Sequence, residues 1–291
     1  MRPTDSKRII AMLAAALMLI GLTTAPAAAF NTSHLSQVKT VRNCSGCDLS
    51  EADLRGVSLA SAVLKASNLE SANLSRANLN GANLSGVDLS GANLSGANLG
   101  MANLSAAKLA MANLSRVNLI GANLSGASLS FADLSWADLR GAKLDNVHLG
   151  GVTLHGANLV RLDLSGMDLS NADLSRADVS EARLSCTNLR NANLAGATLI
   201  ETDFSGADLS GANLASTNLT RARNTAGLKL GGANLSKANL SKLDLSGADL
   251  SGADMSGAKL SGTKLDGAKL GGATWSDGRK CPEGSLGGCG K

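Results

Sequence analysis

Leucine returns every fifth residue from Leu49 to Leu219 and again from Leu230 to Leu270, with Val179, Phe204 and Met255 as substitutes and Trp275 closing the series. The unit is typified by Ala92-Asn93-Leu94-Ser95-Gly96: a small residue two places before the Leu, a polar residue between them, then a polar or Gly pair. A period of five suits neither a helix nor a plain strand. Five residues turn a helix by about 500°, so successive Leu would step about 140° around the axis and form no stripe. In a short extended segment, by contrast, Ala and Leu two apart share one side. The pair that follows turns a corner, so every segment points its Leu inward. Such units are too small to bury a core alone and become stable by stacking on their neighbours.

The number of units per coil can be read from charge. If a coil takes twenty residues, side chains twenty apart lie about 4.8 Å over one another, and like charges there are unfavourable. Just before the central residue, one column reads Lys143, Asp163, Arg183, Asp203 and Arg223, alternating in sign, while Asp88 meets Lys108 and Asp249 meets Lys269. At a spacing of five, like charges recur, as in Asp163, Asp168, Asp173 and Asp178 or Lys259, Lys264 and Lys269. The alternation sets the register at four units per coil. It adds little stability, since exposed ion pairs contribute about 0 to 1 kcal/mol each. Stability should come from the central side chains, each Leu contributing about 1.5 to 3 kcal/mol when fully buried. Leu162, Met167 and Leu243 place bulk where Ala is usual and should swell the coil locally. About eleven coils would give a rod roughly 55 Å long.

The triplets Ala72-Asn73-Leu74, Ala82-Asn83-Leu84, Ala207-Asp208-Leu209 and Ala248-Asp249-Leu250 resemble the A(D/N)Lxx signature of the pentapeptide-repeat family, over residues 47–275. The resemblance implies an all-β fold, a right-handed quadrilateral parallel β-helix with four pentapeptides per coil. It implies an architecture rather than a reaction.

One residue is added near 225–227, where Thr225-Ala226-Gly227 occupies a corner that elsewhere takes two residues. The charged column then continues with Asp244 and Lys264, so a bulged corner that leaves the stack intact is expected. Asn224 falls in a Leu slot, where its amide needs partners.

Residues 1–29 differ from the repeat. Arg2, Lys7 and Arg8 precede an apolar run from Ile9 to Leu22, and Ala27-Ala28-Ala29 follows, the order of a secretory signal peptide cleaved before Phe30. The apolar run is shorter than the roughly 20 residues of a spanning helix, so no stable membrane insertion is expected once the leader is gone. Cleavage removes three cations and one anion, and the formal charge falls from +4 to +2. A periplasmic or secreted location follows. Residues 30–46 carry Leu35, Val38 and Val41 at near-helical spacing with Ser33 as a cap, and form an N-terminal cap with a short helix over the first coil. Residues 276–291 form a C-terminal cap loop.

Five cysteines in an exported chain invite disulfides. Cys281 and Cys289 can close a small loop; Cys44 and Cys47 can also bridge, through a tighter ring. Zinc is excluded because the two pairs belong at opposite ends of the rod. Cys186 is left over at an outward corner, free or joined to a partner.

Ser128, His148 and Asp168 share one column and have the residue types of a hydrolytic triad, but parallel side chains on a convex wall lack an oxyanion hole. We therefore assign no catalytic residue, and no cofactor or metal set emerges. Met101, Met111, Phe131 and Trp136, with Arg116 and Ile120, depart from the polar corner pattern and form a candidate protein-binding patch. In the twenty-residue register Met111 lies beneath Phe131 and Arg116 beneath Trp136, arranging a sulfur contact and a cation over the indole. The expected function is that of a non-enzymatic exported scaffold or interaction surface for a protein whose identity, like the oligomeric state, the sequence leaves open. The alternative implied by the family resemblance is a DNA mimic that binds DNA gyrase. Alternating charges and a leader argue against it. Direct nucleic-acid binding is not expected, since there is no aromatic stacking platform for bases.

Overall fold

The computed structural model describes residues 31–290. The leader and the cleavage point before Phe30 lie outside the described residues. From Asn43 onward, bridges pair residues twenty apart in parallel register: Asn43 with Val63, Asp48 with Asn68, Asp53 with Asn73, Ser58 with Asn78. Each pentapeptide makes one side of a square coil, and the whole is a right-handed quadrilateral β-helix. Four faces result. The first carries Leu49, Leu69 and Leu89, the second Leu54 and Leu74, the third Leu59 and Leu79, the fourth Leu64 and Leu84.

The corners explain the pentapeptide. After each central Leu the chain makes an i to i+3 turn, as where the Ala97 amide donates to the Leu94 carbonyl at 2.9 Å, and the third residue of that turn, Gly96, has φ +65°. That is type II turn geometry. The Asn or Asp before the Leu is part of the same device: Asn93 Oδ1 accepts from the Ser95 amide at 3.1 Å, and Asn98 Oδ1 from the Gly100 amide at 3.1 Å. An Asx turn thus satisfies an amide that the corner leaves over. Between coils, Leu94 donates to Asn113 O at 2.7 Å, Gly96 to Ser115 O at 2.8 Å, and Asn113 back to Ala92 O at 2.9 Å.

The central residues and their small partners are buried almost throughout, with Phe204 the largest fully enclosed side chain. Hydroxyls that replace the small residue stay buried by donating to a carbonyl, most often on the coil beneath: Ser67 to Cys44 O at 2.7 Å, Thr187 to Leu164 O at 2.8 Å, Thr202 to Val179 O at 2.9 Å, whereas Thr217 donates to Leu214 O of its own coil at 2.6 Å. Both ends are covered. Helix α1, Thr32–Val41, lies at the start with Val38 buried; Asn31 rather than Ser33 caps it, accepting from the Ser33 amide at 2.9 Å. At the other end the chain turns back antiparallel, pairing Thr274 with Lys280 and Lys269 with Leu286, which occupies strand edge that would otherwise be open. Cys44 and Cys47 pair at the first cap (Cα–Cα 5.3 Å) and Cys281 and Cys289 at the last (4.9 Å), while Cys186 is free and exposed. Among the described residues no helix is long and apolar enough to cross a membrane.

At the inserted residue the pairing lengthens by one, Asp208 with Lys229 and Asn213 with Asn234, then returns to twenty at Lys229 with Asp249. Asn224 does not occupy the Leu slot. It turns outward at φ 56° and its amide donates to Asp203 Oδ1 at 2.8 Å, while Thr225 is buried and donates to Asp244 O at 2.5 Å. Asparagine tolerates this left-handed backbone, and leaving the core spares its amide an unmet desolvation cost. Arg223 pairs downward with Asp203, but among the described residues no bridge joins it to Asp244. The charged column is therefore interrupted at the bulge and resumes with Asp244 and Lys264. Burial pushes the Asp203 carboxyl up, but hydrogen bonds from Asn224, Ser205 and Ser185 outweigh it and hold the group at about 2.

Candidate functional site

Besides the bulged corner at 224–227 and the cleft beside it, two features of the described residues break the uniform wall. The first is the aromatic edge. Phe131 and Trp136 are 71% and 49% exposed, and both stand at left-handed corners, φ 59° and 61°. Each side chain leans onto the next coil, where a glycine lies beneath it. A β-carbon built on Gly151 would come within 2.6 Å of the Phe131 ring, and one on Gly156 within 2.5 Å of the Trp136 ring. Only glycine leaves room for a ring lying flat there, and glycine takes φ +66° and +63° at no steric cost. Trp136 also meets the His155 ring edge-on, centroids 5.2 Å apart, and His155 Nδ1 is 2.7 Å from Ser175 Oγ.

This geometry differs from the stack expected within the column. Among the described residues no cation–π contact joins Arg116 to Trp136, because the indole leans away from Arg116 onto the following coil. The six apolar and cationic positions do not form one surface either. Met111 and Phe131 follow the first face, Arg116 and Trp136 the second, and Met101 and Ile120 the third. In a square coil the corner of Met101 is therefore diagonal to that of Phe131. Met101 is 68% exposed and lies over Gly121, whereas Ile120 is half-buried. What remains together is Phe131 and Trp136, on adjoining corners of one coil and flanking the face that bears Asp133, with Met111 and Arg116 at the same two corners one coil earlier.

The second feature is a cleft of about 550 Å³ between two coils, lined by Ala142 to Val147 below and by Asp163 and Ser165 to Asp168 above. Among the described residues no backbone hydrogen bond joins 141–151 to 160–170. The bonds flanking it persist, Leu139 to Asn158 O at 3.0 Å and Leu154 to Asp173 O at 2.7 Å, so two faces part while the other two stay closed. The parting coincides with bulk at the small-residue position, although the Asn218 amide also lacks its partner after the smaller Thr217. After each of Leu162, Met167, Leu228 and Leu243, the next amide loses its carbonyl partner on the coil beneath, whereas Val87 and Val117 leave theirs in place. A side chain longer than Val widens its coil beyond the one below. Leu162 and Met167 do so on two consecutive faces, and the ladder opens around the corner between them. Ser165 Oγ is buried there beside Asp163, whose carboxyl is held below its usual value chiefly by the Ser165 hydroxyl and amide.

The cleft divides both sequence-derived columns. Lys143 and Asp163 do not pair; Asp163 instead forms an ion pair with Arg183 at 3.1 Å, which in turn bridges to Asp203. Ser128 pairs with His148, but His148 and Asp168 are on opposite lips, and Asp168 accepts from the Ser170 amide and from Asn188. No nucleophile–base–acid relay is assembled from these three. Elsewhere Lys108 meets Asp88 at 3.1 Å and Lys229 meets Asp208 at 3.8 Å as ion pairs, while Asp249 and Lys269 stack in register with no ion pair among the described residues. Around the inter-coil Asp88–Lys108 contact, burial pushes the carboxyl up and Ser90 and Lys108 more than compensate, leaving it below its usual value.

Sequence reasoning singled out the residues on both sides of the cleft without seeing that they part. The signal was two consecutive bulky residues at the Ala position.

A family model for pentapeptide repeats matches in eight copies, over residues 43–81, 72–110, 107–146, 148–185, 187–223 and 233–272. Among solved structures, full-length QnrB1, a plasmid-mediated fluoroquinolone resistance protein, is 20% identical with a TM-score of 0.50, covering 58% of this chain and 84% of that one. HetL, involved in heterocyst differentiation regulation in the cyanobacterium Nostoc sp. strain PCC 7120, is 33% identical over 86% of this chain and 97% of its own, TM-score 0.27. Rfr23 from the cyanobacterium Cyanothece 51142 is 33% identical over 42% and 92%, TM-score 0.31. No curated protein matches the chain.

Proposed function

This chain belongs to the pentapeptide-repeat family, and from that premise we propose that it acts without chemistry of its own, as an exported scaffold whose outer wall binds another protein. The observation that carries the reading is the pair Phe131 and Trp136, exposed yet seated on Gly151 and Gly156. Aromatic anchors held in place before binding lose little conformational freedom when a partner arrives, and such residues dominate interface energetics. The charge and apolar order of residues 1–29 supports export, as do two cysteine pairs at bonding distance, which persist in oxidising compartments.

A gyrase-binding DNA mimic would need an extended run of uncompensated negative charge. Here Asp88, Asp163, Asp208 and Asp244 each meet a cation on a neighbouring coil, and the whole chain carries a formal +4. The likeness to QnrB1 bears on fold alone.

The test has two parts. Fractionation with intact-mass measurement should find a shortened chain starting at Phe30 outside the cytoplasm; a chain retaining Met1 would overturn the export reading. Capture of proteins from the native periplasm should then weaken by about thirtyfold when Phe131→Ala and Trp136→Ala are combined, the effect of losing about 2 kcal/mol at a hot spot. Because both side chains project from the surface, the thermal transition should scarcely move. Capture undiminished by the double substitution would remove this edge as the site, and retention of purified gyrase would favour the DNA-mimic reading.

A further inference from the structure

We propose that the cleft between residues 141–151 and 160–170 is a slot for one basic segment of a partner protein, taken up as an added β-strand that bends with the corner between the two open faces. This rests on the protein-binding reading but uses a different part of the surface. The aromatic edge and the slot can therefore fail separately.

Three observations point to a strand. First, both lips are strand edges. On the lower lip the amides of Leu144, Asn146, Leu149 and Gly151 have no backbone acceptor, and on the upper lip those of Asp163 and Asp168 have none. The equivalent amides of the coil below do, as where Leu124 donates to Lys143 O at 2.9 Å and Lys143 to Ala122 O at 2.9 Å. Unpaired edges of this kind recruit extended chains, with main-chain hydrogen bonds supplying affinity and alternate side chains specificity. Second, the opening is held by the fold. The closed faces on either side fix its ends, and Leu162 and Met167 keep the coils apart, so the slot exists before a ligand arrives. Its volume of about 550 Å³ lies within the range of about 300 to 1,000 Å³ common for ligand sites. Third, its lining carries three carboxylates, Asp145, Asp163 and Asp168, against the single ammonium of Lys143. Asp163 is matched by Arg183, but among the described residues Asp145 and Asp168 meet no cation. Lysine or arginine on the incoming strand would answer them.

The probe is a fluorescein-labelled octapeptide of alternating Lys and Val, compared with one of alternating Glu and Val, titrated into the mature protein and followed by anisotropy. The basic peptide should bind at least about tenfold tighter, and Asp145→Asn with Asp168→Asn should remove most of that preference. Hydrogen exchange read at individual amides should show Leu144, Asn146, Leu149 and Gly151 exchanging far faster than Leu134 in the free protein and slowing at least about tenfold with peptide. Leu162→Ala with Met167→Ala restores the small residue on both faces and should protect these amides without peptide while abolishing binding. Phe131→Ala with Trp136→Ala should leave peptide binding intact. The proposal is overturned if neither peptide binds, if both bind alike, if the four amides are already protected in the free protein, or if binding is lost with the aromatic pair instead of the carboxylates.

Discussion

Phe204→Ala should destabilise the rod by about 3 to 5 kcal/mol, and Phe204→Leu by less than about 1.5 kcal/mol. Phe204 is fully buried in a position that Leu fills in nearly every other unit, with Ser205 and the hydroxyl of Thr202 anchoring the same turn. Removing the ring leaves a void that a stacked coil closes poorly, because each wall is held by hydrogen bonds to coils above and below. Leucine restores most of the volume and the pattern of the remaining faces. Chemical denaturation of the three proteins would measure this. A loss for Phe204→Leu as large as for Phe204→Ala would mean that the coil has been built around the ring and that the central positions are not interchangeable. In a solenoid, stability is close to a sum of nearest-neighbour terms, so the damage should also be local. Amides on the coils around 199–209 should exchange faster while those near Leu74 stay protected.

Most of the architecture could be read from the chain because the repeat imposes one geometry on every unit. Leu at a period of five fixes an inward direction, and the alternation of Asp163, Arg183 and Asp203 fixes the coil at four units; Arg183 and Asp163 do meet, at 3.1 Å. What escaped the sequence were consequences of two or more units acting together. Leu162 and Met167 were legible as bulk, yet whether a coil swells smoothly or parts from its neighbour depends on both lying on consecutive faces around one corner. Lys143 and Asp163 were therefore assigned to one unbroken column that the cleft divides. The direction of the Trp136 indole was likewise hidden, because it depends on a glycine twenty residues away and on the left-handed corner that tilts the ring towards it. The role of the residue before each Leu was underestimated for a different reason. Asn and Asp look like solvated outward positions, and they are, but their Oδ1 atoms also accept the amide two residues on, as Asn93 does from Ser95 at 3.1 Å. A preference for Asn and Asp over Gln and Glu at that position is the trace this leaves, since only the shorter side chain closes an Asx turn.

Asn224 provides a natural experiment on the core, and its second consequence is larger. A polar side chain fell in a Leu slot, and the chain responded with one extra residue that lets Asn224 face outward and brings the buried Thr225 into contact with Asp244 O. Placing Asn at a regular position without that extra residue should be far worse. For Leu84→Asn, the lost apolar burial costs about 1.5 to 3 kcal/mol and an amide enclosed without partners about 1 to 3 more, so a total of about 2.5 to 6 kcal/mol is expected. Leu84 is fully buried and donates to Asn103 O at 2.7 Å, and its neighbours Ala82 and Ala102 leave no polar atom nearby other than backbone already committed to the ladder. The informative variant adds a threonine directly after the new asparagine, copying the Asn224-Thr225 order. If the bulge is what accommodates a polar central residue, the insertion should recover a third or more of the lost stability, although in an otherwise intact repeat the same insertion should destabilise. Denaturation of the substituted, inserted and combined proteins closes this cycle. Strictly additive losses would show that Asn224 is tolerated for reasons particular to its own coil, such as its bond to Asp203, rather than through the extra residue.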